Sequence, residues 1–250
     1  MENQIYKYSP TLQFDVGEIG QAVLNLAASS PTVYIPYLLY SSTGNNGIQM
    51  NYFINDKPSV FQGTNVNFEG KLSYDIFITL SGVTYLYVNY PSGEKDKFVF
   101  DANEGIYKSQ TDGTYVQAIL NEETCSYVYI LYDLSGNRMT FNEFEDQKYC
   151  LVNIEYKSGK KVIINRDANF RLSSIINQIC SEKAEITYNN TSITVSIYRL
   201  NDSNVYQKIY EYNIALNDND TGLVISSKII FDSNNKREFK KVSFSSENDK

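Results

Sequence analysis

The sequence contains no histidine and no tryptophan, and its only cysteines are Cys125, Cys150 and Cys180. Without histidine, Ser-His and Cys-His nucleophilic pairs, histidine-ligated metal sites and the usual proton carrier at neutral pH are excluded. Without tryptophan, a platform on which sugar rings stack is less favoured, although tyrosine can also stack. We therefore expect a protein that is not an enzyme and that binds no cofactor and no metal.

The cysteines and the N-terminus indicate little about compartment. The three cysteines lack CxxC spacing, so we expect buried or unreactive thiols; a Cys125–Cys150 bridge between neighbouring strands is an alternative that needs an oxidising compartment. Residues 1–8 have no basic start followed by an apolar run, and apolar stretches such as residues 33–40 are too short to span a bilayer. We expect no membrane span, and a protein that is cytoplasmic or exported without a signal peptide.

Lysine and arginine number 22 against 29 aspartates and glutamates, which gives a net charge of −7. A nucleic acid or an anionic membrane surface would be repelled overall, so we expect no nucleic-acid partner.

The residues that are abundant favour strands. Ile, Val, Thr, Tyr and Phe supply 89 residues, whereas the helix formers Ala and Leu supply 24. Branched and aromatic side chains fit a pleated surface, and 27 Asn with 13 Gly supply turn residues. The sequence predicts an all-β fold: an antiparallel meander of consecutive hairpins forming a long curved sheet, with a possible sandwich-like N-terminal part. Residues 17–28 and 172–182 have partly helical spacing, but their branched residues favour strand and turn.

The chain divides by its pattern into three predicted regions. Residues 1–120 are a β-rich leader region, residues 121–244 are an array of regular hairpins, and residues 245–250 are a solvated tail.

A motif recurs in the hairpin array: an aromatic residue, an acidic residue, a short gap, Gly or Asn, and a basic residue. Tyr132, Asp133, Gly136 and Arg138 form its clearest copy. The other copies carry Tyr156 and Gly159, Asp167 and Arg171, and Phe231 and Asp232, with Phe170 at the place where glycine is expected. Aspartate can open a turn by bonding its own backbone, glycine supplies the positive φ, and the aromatic residues can stack across strands.

These spacings resemble the tyrosine-aspartate (YD) repeats of RHS-type and teneurin-like proteins. Residues 25–28, 33–36 and 47–52 are similar to the leader that precedes such repeats. The resemblance implies a bacterial, toxin-associated scaffold in which a β-strip spirals into a hollow shell around a toxic or variable domain. The chain is too short to close such a shell and lacks the autoproteolytic segment, so it would be the leader with the first repeats, a truncated paralogue or one component of an assembly.

Two functions of different classes follow. The first is a non-catalytic β-scaffold that encloses, displays or docks another polypeptide (a cargo domain, an assembly subunit or a second copy) along exposed strand edges. The second is a Tyr-rich β-sandwich that binds a glycan or a surface protein through loops such as residues 41–47 and 91–95. A hydrolase is the least favoured interpretation.

Other polar clusters have simpler interpretations. Residues 217–222 alternate oxygen ligands loosely as in a calcium loop, but they lack the closing glutamate, so a polar turn is favoured. The acidic residues Glu122, Glu123, Glu143, Glu145 and Asp146 are interpreted as a solvated face. The basic residues Lys236, Arg237, Lys240 and Lys241 are interpreted as protection of an edge strand.

Overall fold

A computed structural model describes the backbone of residues 11–15, 21–25, 32–40, 49–60, 67–91, 93–189, 192–216, 224–232 and 235–244, and the side chains of residues 50, 71–91, 93–189 and 192–214. These residues form twenty antiparallel strands and no helix, so the predicted all-β class is confirmed. Residues 172–182 are a strand followed by a turn, as their branched residues predict.

The strands lie in two sheets. The first is a meander of five strands in sequence order: β1 (Thr11–Asp15), β2 (Gln21–Asn25), β3 (Thr32–Tyr40), β4 (Gln49–Val60) and β5 (Asn67–Leu72). The second contains the other fifteen: β6 (Phe77–Ser81), β7 (Tyr85–Asn89), β8 (Lys95–Asp101), β9 (Ile106–Ser109), β10 (Tyr115–Asn121), β11 (Ser126–Tyr132), β12 (Arg138–Glu145), β13 (Lys148–Glu155), β14 (Lys161–Arg166), β15 (Leu172–Asn177), β16 (Glu182–Tyr188), β17 (Ser192–Leu200), β18 (Tyr206–Leu216), β19 (Val224–Asp232) and β20 (Asn235–Phe244).

Strands β6 to β13 close into a ring. Each strand from β6 to β12 pairs with the next, and β13 pairs with β12 on one side and with β6 on the other. The closing contact sets Cys150 opposite Phe77 and Lys148 opposite Thr79. The prediction of one long open sheet is therefore wrong for these eight strands. Closure leaves the ring without a free edge, which an open strip of this length would have.

Strand β13 changes its neighbour along its length, and we call this place the fork. Its first residues pair with β6, whereas Asn153, Ile154 and Glu155 pair with β14. From the fork, β14 to β20 continue as the open meander that the sequence predicts. In the larger sheet as described, β20 has a neighbour on one side only, as β1 and β5 do in the smaller sheet, and it is the strand that carries the basic residues interpreted as edge protection.

Two local turn designs connect the hairpins. Five-residue turns at 90–94, 133–137, 156–160, 167–171 and 201–205 share a bond from the first N–H to the fifth carbonyl and a positive φ at the fourth residue. Turns at 101–105, 121–125 and 177–181 instead begin with Asp or Asn, whose side chain accepts the N–H two residues later, and have positive φ at the fifth residue. The abundant Asn, Asp and Gly thus fix hairpin positions locally.

The core follows the alternation of each strand. Alternate residues of the ring strands face one side, and those in the middle of the strands are buried, including Ile78, Leu86, Phe98, Val116 and Phe141. The same alternation buries one face of β14 to β18, and both sets belong to one apolar cluster. Among the residues that the structure describes, there is no helix that could cross a membrane.

Candidate docking site at the acidic end of the ring

The clearest copy of the recurring motif, residues 132–138, forms a single turn. The Asp133 Oδ1 accepts the backbone N–H groups of Ser135 and Asn137, each at 2.8 Å, and Gly136 has φ +82°. Tyr132 stacks on Tyr115 of the neighbouring strand, with ring centres 4.7 Å apart and planes 12° from parallel. The Asp, Gly and aromatic positions therefore have structural roles within one hairpin.

Two further copies repeat this turn with different side chains. In the 156–160 turn, the Gly159 N–H donates to the Tyr156 carbonyl at 2.8 Å, and Gly159 has φ +82°. In the 167–171 turn, Asp167 accepts the Arg171 N–H at 3.0 Å and its Nε–H at 2.7 Å. The Arg171 guanidinium also lies 4.4 Å from the centre of the Tyr188 ring. These residues join neighbouring hairpins.

The remaining predicted residues lie elsewhere. Arg138 forms an ion pair with Glu155 across β12 and β13. Phe231 and Asp232 end β19, where Asp232 is opposite Asn235. Only two residues therefore separate the paired residues of the β19–β20 hairpin. In the clearest copy, by contrast, Tyr132 is opposite Arg138. The structure places the predicted residues in separate hairpins along the chain.

Four turns lie together at one end of the ring, which we call the acidic end: residues 82–84, 102–105, 122–125 and 146–147. Consecutive antiparallel strands place alternate turns at the same end, so closure brings these four together. Seven acidic residues against two lysines leave a surplus of five negative charges there: Asp101, Glu104, Glu122, Glu123, Glu143, Glu145 and Asp146, with Lys108 and Lys148. The ion pairs found there in the described structure join Lys108 to Asp101 and Glu104, and Lys148 to Glu145.

A row of aromatic rings crosses the interior beneath the acidic end. Phe100 and Tyr107 have ring centres 5.1 Å apart, Tyr107 and Tyr129 6.4 Å apart, and Tyr129 and Tyr149 4.5 Å apart. These separations are those of favourable aromatic pairs. Strands β8, β9, β11 and β13 supply one ring each, so the row runs across four strands of the ring.

Above this row, apolar side chains reach solvent. Leu120 and Tyr127 lie opposite each other on β10 and β11, and about half of each residue is exposed (51% and 50%). Tyr127 is two residues before the buried Tyr129, so it belongs to the same strand face. Phe100 is 40% exposed and Val83 83% exposed. The acidic end thus exposes a discontinuous apolar surface within an acidic rim.

Electrostatics keep the tyrosine hydroxyls protonated. Burial raises the pKa of Tyr129, and the neighbouring Tyr149 raises it further. Burial also raises the pKa of Tyr149, and the Glu143 carboxylate adds to the effect. The hydroxyls therefore remain neutral hydrogen-bonding groups at neutral pH.

Sequence reasoning did not find this site. Glu122, Glu123 and the acidic residues around Phe144 were expected to be a solvated face, because they lie in separate turns of the sequence. The signal that could have found them is their recurrence at every second turn of a meander. That signal indicates one common end only if the sheet is known to close.

Other predicted sites can be placed in part. Residues 41–47 and 217–222, and the side chains of Lys236, Arg237, Lys240 and Lys241, lie outside the described residues. Residues 91–95 overlap a five-residue turn beginning at Tyr90, whose hydroxyl donates to Asp96 at 3.2 Å. In the described part of the chain, no group of three or more His, Cys, Asp or Glu residues could hold a metal ion. The three cysteines are unpaired: Cys150 is buried and Cys125 is exposed.

Comparison with known proteins adds no relative. No protein-family model matches this chain. A search of curated proteins also gives no match.

Proposed function

We propose that this protein is a non-catalytic β-scaffold that docks another polypeptide, and that the acidic end is its docking surface. The observation that carries the proposal is the exposure of Leu120 and Tyr127 beside Glu122 and Glu123. Exposed apolar side chains rimmed by polar residues are typical of surfaces that bind a partner. A surplus of one charge sign favours a partner of the opposite sign.

The partner that fits this surface is a basic polypeptide segment with apolar side chains. Its lysines or arginines would approach Glu122, Glu123 and Asp146, and its apolar side chains would cover Leu120 and Tyr127. Because the carboxylates are exposed, their attraction chiefly steers encounter and selects the partner, while apolar contact supplies most of the affinity.

The resemblance to YD repeats belongs to the same proposal. Its support is the repeated turn design of residues 133–137, 156–160 and 167–171, which positions the recurring residues equivalently. A scaffold of stacked hairpins gives a rigid surface because each hairpin packs on the next. The closed ring is a departure from an open shell strip, so docking at its end is favoured over enclosure.

A second contact with polypeptides is the exposed edge of β20. Its outer backbone groups have no strand neighbour in the described structure, and such an edge can pair with another chain. Self-association through this edge predicts concentration-dependent mass in size-exclusion chromatography with light scattering. A monomer at every concentration tested would contradict it.

The docking surface is tested with two synthetic peptides, one repeating Lys-Leu-Ser-Lys and the other repeating Glu-Leu-Ser-Glu. We expect the basic peptide to bind and the acidic peptide not to bind, with affinity falling as salt rises. Glu122→Gln and Leu120→Ser should each weaken binding by about threefold to tenfold, a loss of about 1 kcal/mol. The matched control is Asp202→Asn, which removes one negative charge from the exposed 201–205 turn of the open meander.

Three results would contradict the proposal. They are equal binding of both peptides, no binding of the basic peptide, and equal weakening by Asp202→Asn and Glu122→Gln. The last result would indicate a response to net charge and not to the acidic end.

A further inference from the structure

A groove of about 580 Å³ follows the outer face of the fork. Its walls come from β12, β13, β14 and the 167–171 turn, so it is separate from the aromatic row inside the ring. Three successive strands each place one amide side chain in the lining, Asn142, Asn153 and Asn165, and charged side chains including Glu143 line the groove as well. At one rim stands Phe170, which is 49% exposed.

The position of Phe170 is unusual for its residue type. It is the fourth residue of a five-residue turn and has φ +59°, whereas Gly93, Gly136 and Gly159 occupy the equivalent place in other turns. A bulky residue rarely adopts positive φ, because its Cβ meets the backbone. An aromatic residue at such a strained, half-exposed position points to a use for its exposed ring.

The Phe170 ring is held in place. Its centre lies 5.5 Å from that of Phe144, and its backbone carbonyl accepts the Arg166 Nη1–H at 3.0 Å. Arg166 is itself nine-tenths buried, so the turn is attached to the fork by a rigid contact. A ring fixed from below and exposed above offers a flat apolar face to a ligand.

Of the charged side chains that line the groove, Lys161, Arg166 and Asp167 form ion pairs within the protein, and Glu143 adds a carboxylate at the rim shared with the acidic end. Lys161 pairs with Glu155 at 3.2 Å, and Asp167 pairs with Arg171 at 2.6 Å. The amides remain as neutral groups: Asn153 accepts from Thr140 at 3.3 Å, and Asn165 donates to Ser174 at 2.9 Å. Each amide can both donate and accept, which suits a ligand whose hydroxyl groups also do both.

We propose that this groove binds a neutral oligosaccharide, with Phe170 stacking on the C–H face of one sugar ring and the three asparagines bonding its hydroxyls. An extended peptide fits less well because strand addition needs open main-chain groups. At the fork the Arg166 Nη2–H groups already donate to the carbonyls of Tyr74 and Leu151, at 3.2 and 3.4 Å. This site goes beyond the docking of a polypeptide, and it runs along the outer face of the fork, sharing Glu143 with the acidic end.

The test titrates the full chain with neutral hexasaccharides of glucose, mannose, xylose and N-acetylglucosamine in α and β linkage, followed by calorimetry. At least one should bind, and Phe170→Gly and Asn142→Ala should each weaken that binding by about tenfold or more. Phe170→Gly should leave the melting temperature unchanged or raise it, because glycine tolerates the turn. A merely structural phenylalanine would lower the melting temperature on removal.

The matched control is Asn204→Gly, which makes the same change of backbone preference at φ +59° in the 201–205 turn, away from the groove. It should not alter saccharide binding. The proposal is overturned if none of the hexasaccharides binds, or if the Phe170→Gly variant binds the saccharide as well as the parent protein does. It is also overturned if Phe170→Gly weakens binding of the Lys-Leu-Ser-Lys peptide but not of the saccharide. Glu122→Gln should not affect saccharide binding. If the saccharide proposal fails, the proposal of peptide docking at the acidic end therefore still stands, and if the docking proposal fails, the saccharide proposal still stands.

Discussion

Arg166 is the side chain on which the fork depends most. Its Nη1–H donates to the Phe170 carbonyl at 3.0 Å, and its Nη2–H groups donate to Tyr74 and Leu151. The guanidinium also lies 3.5 Å from the Asp75 carboxylate. It therefore bonds three chain segments where β13 leaves β6, and Arg166→Met should open this junction while keeping most of the side-chain volume.

The expected loss of stability follows from these contacts. Each well-formed hydrogen bond to a carbonyl contributes about 1 kcal/mol, and the contact with Leu151 is longer and weaker. The ion pair adds about 1 kcal/mol after discounting for solvent, because the Asp75 side chain is 26% exposed. Arg166→Met should therefore lower the free energy of unfolding by about 3 kcal/mol, with some cancellation among coupled contacts.

The loss should also depend on pH. Burial raises the pKa of Asp75 above its ordinary value of 3.8, despite the lowering effect of Arg166. A carboxyl group with a raised folded-state pKa contributes stability that is fully present below the unfolded pKa and is lost as pH rises through the folded pKa. Removing Arg166 raises that pKa further, so the cost of Arg166→Met should be largest at about pH 7 and smaller at about pH 4.

The assay is urea unfolding of both proteins at these two pH values, with Arg138→Met as the matched control. Arg138 is 46% exposed and pairs with Glu155 on the surface, so its replacement should cost about 0–1 kcal/mol. The reasoning is refuted if Arg166→Met costs no more than Arg138→Met, or if its cost does not decrease at the lower pH.

Three further predictions concern single features. Burial raises the pKa of Cys180 to about 12, so a thiol reagent at about pH 8 should modify the exposed Cys125 rapidly and Cys180 only in denaturant; equal rates would contradict this. Glu182 is fully buried and bonds Arg199 at 2.8 Å, so Arg199→Met should cost about 3 kcal/mol in urea unfolding, and Glu182→Gln should restore part of that loss in the double variant. Gly136→Ala should lower stability by about 1 kcal/mol because of φ +82°, although its nearest neighbour leaves space at 3.7 Å; an unchanged melting temperature would contradict the assigned strain.

The hairpins could be predicted because their information is local. Asp133 and Gly136 specify one turn through bonds within five residues, and the flanking alternation specifies which faces of β11 and β12 are buried. The same logic predicted residues 172–182 as strand and turn, where branched side chains outweighed partly helical spacing. Local rules of this kind are readable without knowledge of the partner strands.

Closure of the ring could not be predicted because it joins distant segments. Phe77 and Cys150 are opposite each other, yet no turn residue, spacing or charge pattern connects them in the sequence. The acidic end depends on that closure, since Glu122 and Asp146 belong to separate hairpins. Pairing of distant strands is decided by burial over the whole sheet, so sites made by it are not visible in local patterns.

The two proposed surfaces differ in how the sequence departs from the rules of its own fold. At the acidic end, Cys125 and Gln147 also have positive φ, but the feature that marks the site is the accumulation of like charge beside exposed Leu120. At the fork, Phe170 breaks the turn rule that Gly136 and Gly159 follow, and the surrounding contacts hold it there. Natural sequences concentrate such local conflicts where binding requires them. Each site therefore needs a control elsewhere on the surface: Asn204→Gly for Phe170→Gly at the fork, and Asp202→Asn for Glu122→Gln at the acidic end.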